Sequence, residues 1–201
     1  MIDRLVSGRR NWLRLPEMRP GLGPVVDEVA RRVASGEVLV HGSNRRDIEL
    51  FEPREQTTYV GQATRAVFAS TEPVWSLFFA VTDTATVSSR WNACVLPDTS
   101  GAGRTRFFFS VGCPPDRAWT DGALYLLPRD TFVPSDDPAE WLSFEPVRPL
   151  EVIPVTPADF PFRDRVFGHR EDEPEWRLEL RLLANCLRSR PHDAAQRSAG
   201  S

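Results

Sequence analysis

Lysine is absent from this chain; all 25 of its basic residues are arginine. With frequent Ala, Val and Pro, that bias reflects a GC-rich genome and points to a bacterial source. Cysteine is scarce as well. Cys94, Cys113 and Cys186 are widely spaced with no CxxC pair, which argues against a disulfide framework or a cysteine zinc site. Three histidines, His41, His169 and His192, are too few and too scattered for a metal centre of several imidazoles, so no metal is expected. No apolar run approaches the roughly 18 residues of a membrane span. Met1 to Leu5 opens no apolar signal segment, so a cytoplasmic protein with no membrane partner is expected. A net charge of -3 argues against a general electrostatic grip on nucleic acid and leaves room only for a local basic patch. Also missing are the GxxxxGK(S/T) phosphate loop, GxGxxG, the GxSxG elbow and HExxH.

What remains is a composition able to bury a core. Apolar residues make up 41% of 201 and charged residues 26%, which fits one folded domain with extensions. Residues 1–22, rich in Arg, Trp and Pro, show no period and read as an arm packed on the domain. The spacing predicts a helix from Pro24 to Ser35, with proline in its first turn, Val25, Val29 and Val33 on one face and Gly36 as a stop. A short strand, Val38 to Val40, runs into His41-Gly42-Ser43. Asn44 to Thr64 is polar and reads as a loop with one short turn. Ala66 to Ala69 is a buried strand, and Pro73 opens a helix through Val81. Strands follow at Trp91–Leu96, Arg106–Val111 and Ala123–Leu127, separated by Pro, Gly and Asp turns. One or two more lie in Trp141–Val155, broken at Pro146 and Pro149. Thr156 to Asp159 suits a short helix. Glu175 to Leu187 places Trp176, Leu180, Leu183 and Leu187 at helical spacing, and the tail after Ser189 reads as disordered. The balance is α+β, organised as an arm and helix (1–36), a domain (37–188) and a tail (189–201).

Three short segments carry the functional signal: His41-Gly42-Ser43, then Val67-Phe68-Ala69-Ser70, then Ser76-Leu77-Phe78-Phe79. In order and spacing they resemble the ADP-ribosyltransferase fold of the diphtheria-toxin and poly(ADP-ribose) polymerase type, over about residues 37–155. The resemblance implies a split, mixed β-sheet core with flanking helices, and NAD as the substrate. It implies that His41 binds the nicotinamide ribose, that the Gly42 backbone meets the nicotinamide carboxamide, and that Ser76 donates to the same amide while Ser43 contacts ribose. An aromatic ring stacks on nicotinamide; Phe79 or its neighbour Phe78 stands where the family has tyrosine, and each suits the core of a helix equally well. A late glutamate stabilises the positive charge that builds on ribose as the glycosidic bond breaks. Glu140 and Glu145 are the candidates, Glu140 entering an alternating strand and Glu145 preceding Pro146.

Arg45 and Arg46, after the His-Gly-Ser turn, could hold the diphosphate of NAD, although a solvated charged loop is the simpler reading. Cys113 reads as buried rather than nucleophilic, with His41 as a conceivable base. His169 and His192 read as solvated. The implied activity is transfer of ADP-ribose to a macromolecular acceptor, protein or nucleic acid, by a toxin or effector, which would bring an antitoxin or immunity partner. The rival readings are a catalytically inactive nucleotide- or protein-binding member of the same fold, an unrelated binding module, and an RNA 2′-phosphotransferase relative. That last reading needs a phosphate pocket from Arg45, Arg46, Arg54 and Arg65.

Overall fold

The computed structural model describes residues 21–58, 61–95, 106–137, 139–174, 176–178, 180, 181 and 184. The chain is α+β. Helix α1 (Pro24–Ala34) begins with proline at its first turn, and Asp27 reaches back to the amides of Gly21 and Leu22. Its apolar face is Val26, Val29 and Val33, so Val26 replaces the expected Val25. Helix α2 (Pro73–Val81) also opens on proline, and the Glu72 side chain caps it by accepting from the Val74 amide. Leu77, Phe78, Ala80 and Val81 are all fully buried, so this helix is covered on most of its circumference.

Ten strands form two sheets among the described residues: β1 (Val38–Ser43), β2 (Arg54–Thr57), β3 (Ala63–Ser70), β4 (Arg90–Val95), β5 (Arg106–Val111), β6 (Gly122–Pro128), β7 (Phe132–Pro134), β8 (Glu140–Ser143), β9 (Glu151–Val155) and β10 (Phe167–Gly168). The large sheet runs β7-β8-β3-β1-β6-β9, with β2 paired to β3. Every pair in it is antiparallel, and the one parallel pair, β10 with β5, lies in the small sheet β10-β5-β4. Mixed pairing was expected of the core sheet; it occurs only in the small one.

Where the polar stretch 44–64 reads as loop, the structure has β2 along the N-terminal half of β3. All four of its residues are exposed, so no alternation of apolar side chains marks it. Strands β7 and β10, of three and two residues, are too short to show a period in the sequence. Thr156 and Asp159 form the expected cap, over a single 3-10 turn. Residues 176–178, 180, 181 and 184 are helical, with Leu178 buried and Trp176 and Leu180 both 55% exposed, so the predicted stripe faces outward there. Residues 1–20 of the arm, the tail, Cys186, Leu183, Leu187 and His192 lie outside the described residues.

Two clusters sandwich the large sheet. On one face α1, α2 and the small sheet meet around Val40, Leu124, Phe78, Phe109 and Phe160. On the other, Leu39, Tyr125, Val67 and Phe132 are closed over by Phe51 and Val147, which bridge to each other. Helix α2 lies directly on the backbone of β1 and β6. A Cβ at Gly42 would overlap the Ser76 carbonyl, and one at Gly122 the Ala80 carbonyl, so both positions need glycine for contact rather than for dihedral freedom.

Candidate functional site

The large sheet splits in its middle. β1 pairs with β6 at six positions but with β3 at one, Val40 with Ser70. Just past that pair, the His41 ring takes over, with Nδ1 2.7 Å from the Phe68 carbonyl oxygen. A carbonyl only accepts, so Nδ1 carries the hydrogen and Nε2 of the neutral ring is an acceptor. Phe51 packs edge-on against the ring at 4.7 Å and is itself held by Tyr125. Burial, and then the like charges of Arg54 and Arg90, hold His41 below the ordinary imidazole value of 6.5, against the opposing pull of the Phe68 bond.

The register Val40–Ser70–Glu140 puts one residue from each of β1, β3 and β8 in a row across the split. Paired residues share a face, so Glu140 stands on the Val40 side of the sheet, where α2 packs. Its Oε1 accepts from the Ser135 hydroxyl at 2.8 Å, which orients the half-buried carboxylate. Glu145 lies beyond, exposed in the turn after β8, where its amide bonds the Ser143 hydroxyl.

On the helix, Ser76 is buried and donates to the Val40 carbonyl at 3.1 Å, tying α2 to β1. Its one hydroxyl hydrogen is therefore committed in this structure. Phe78 is fully buried, with ring neighbours Phe109 and Phe160, and belongs to the core. Phe79, half-exposed, carries the Arg90 guanidinium over its face at 4.8 Å. Of the two, Phe78 is the core residue, and Phe79 is the one that keeps exposed ring surface. Asn44 pins the strand end, donating to the Ala80 carbonyl at 2.8 Å and accepting from the Thr84 amide at 2.9 Å. The Ser43 hydroxyl accepts from the Arg45 amide. Arg45 itself is exposed and ion-paired with Asp47, and Arg46 is exposed.

Arg90 escapes a sequence reading. It is half-buried, hydrogen-bonds only weakly to the Phe79 carbonyl and Thr82 hydroxyl (3.4 and 3.5 Å), and pairs with no carboxylate among the described residues. Nothing in Ser-Ser-Arg-Trp announces that; only the fold carries it to His41. Cys113 bonds its own neighbour's carbonyl, Pro114, and burial with the charge of Asp116 pushes its thiol up, away from thiolate chemistry. No group of His, Cys, Asp and Glu among the described residues is arranged to hold a metal, and no described helix is long and apolar enough to cross a membrane. No protein-family model, curated protein or solved structure matches the chain.

Proposed function

We propose that the chain is an NAD-dependent ADP-ribosyltransferase that breaks the nicotinamide–ribose bond and passes ADP-ribose to a macromolecular acceptor. One observation carries the reading: His41, Gly42, Ser76 and Glu140, scattered over a hundred residues of sequence, come to neighbouring positions along the split between β1 and β3, His41 on the Tyr125 face of the sheet and the other three on the α2 face. A neutral His41 with Nε2 as acceptor suits a ribose hydroxyl donor. Phe79, half-exposed, offers aromatic surface for nicotinamide beside the Arg90 guanidinium that lies over its ring. Arg90 and Arg54, rather than Arg45, suit the diphosphate. In the reaction the C–N electron pair leaves with nicotinamide, and Glu140 faces the positive charge left on the ribose. The acceptor atom then bonds the anomeric carbon and releases its proton, for which Glu140 is the base.

Ser76, with its proton on Val40, favours a second reading, a member of the same fold that binds the nucleotide without turning it over. Nicotinamide release from NAD separates the two. Release by the wild type should fall about 100- to 1000-fold in His41→Ala and in Glu140→Gln, and should be unchanged in Glu145→Gln. Thermal stabilisation by NAD without release would favour the binding-only reading. Neither release nor stabilisation would overturn both.

A further inference from the structure

A different trio sits on the small sheet, outside the split described above. Ser110 of β5 is fully buried, His169 follows β10 and is half-buried, and Ser89 precedes β4 and is exposed. The Ser110 hydroxyl donates to the Phe167 carbonyl at 3.0 Å, which uses its only hydrogen. Its contact with His169 Nδ1 at 2.6 Å must then be a bond that Nδ1–H donates. That leaves Nε2 bare, and the Ser89 hydroxyl, 2.8 Å away, donates to it. The tautomer is thereby fixed from the buried end outward, and Ser89 ends the relay with its proton on a neutral imidazole. Burial holds that ring below its ordinary value, with Glu173 opposing and Arg181 adding to the effect. Gly112 donates its amide to the Ser89 carbonyl, and a Cβ there would overlap both the Ser88 and Ser89 hydroxyls. Gly112 and His169 line an open groove of about 840 Å³ that also takes in Cys113, Arg170, Arg177 and Arg181.

We propose that Ser89, His169 and Ser110 are a nucleophile, its general base and the residue that orients the base, forming a second site that hydrolyses small carboxylic esters. Ser89 Oγ bonds the ester carbonyl carbon as its proton passes to His169 Nε2. Collapse breaks the bond to the alcohol, which leaves with that proton. Water, deprotonated by Nε2, then attacks the acyl-serine and releases the carboxylic acid and Ser89. The groove's lining balances Arg170, Arg177 and Arg181 against Glu171, Asp172 and Glu173, so its charge selects no sign of substrate and a small neutral ester suffices as the probe.

The test is covalent labelling of the full chain with diisopropyl fluorophosphate, mapped by peptide mass spectrometry. The expected result is an adduct on Ser89 that forms at least about 100-fold more slowly in His169→Gln and is lost in Ser89→Ala, with p-nitrophenyl acetate hydrolysis falling in parallel. Absence of a wild-type adduct on Ser89 would overturn the proposal, whatever the folding of the variants. So would a Ser89 adduct that forms equally fast in His169→Gln.

Discussion

Arg90 holds a charge where the fold supplies an aromatic face and two long hydrogen bonds but, among the described residues, no acid partner. Burial lowers its guanidinium from the usual value, yet an arginine remains charged at any working pH. A group so placed is poised for an anionic ligand. Arg90→Gln should therefore weaken ADP-ribose binding about 10- to 100-fold, the worth of a charge-assisted hydrogen bond of about 1.5–3 kcal/mol, and leave binding of free nicotinamide unchanged. Isothermal titration with the two ligands checks this, and equal affinity for ADP-ribose would make Arg90 a staple of the helix end. The histidines give a pH dependence of definite sign. His41 and His169 both titrate lower when folded, chiefly through burial. Below about pH 6.5 the unfolded chain binds protons that the folded chain refuses, so stability falls with pH there and is regained above it. Thermal melts between about pH 7.5 and 5 should show a shallower acid limb in His41→Gln, and again in His169→Gln. Identical slopes would mean that neither ring is kept neutral.

Helix α2 is the element on which the site depends, and two glycines let it lie against the sheet. Gly42→Ala would drive a methyl group into the Ser76 carbonyl and Gly122→Ala one into that of Ala80, both rigid backbone atoms. Each should cost about 1–3 kcal/mol, a Tm decrease of roughly 2–10 °C in a chain of this size; melts unchanged by either substitution would place α2 further from the sheet. The sequence made both helices legible through Pro24, Pro73 and Gly36, residues whose chemistry sets a boundary locally. It singled out His41 and Gly42 only as a strand end that a ligand could approach closely, a weak signal that gains weight from the segments downstream. It could not tell Phe78 from Phe79, since a helix buried on most sides has no polar face to orient it. Nor could it show β2, whose four residues are exposed, or the Ser110–His169 bond, which joins residues 59 apart. Long-range register, not local preference, makes those.

At the scale of the molecule the two sheets grip α2 between them, and Phe109 and Val111 of the small sheet share a core with Val40, Leu124 and Leu126 of the large one. The large sheet itself is unevenly joined. Six pairs tie β1 to β6 and four tie β3 to β8, whereas β1 and β3 themselves are joined by a single pair and the His41–Phe68 bond. Under tension applied across the strands, that line is where the sheet should tear. Handles on β8 and β6 in a single-molecule pulling experiment should give an early, short rupture in which each half survives as a plate, whereas strand-by-strand unzipping would show the joint to be as strong as the rest. A molecule that donates to His41 Nε2 and also bonds β3 would span the tear and act as a rivet: its binding would register as a higher rupture force before any chemistry is measured.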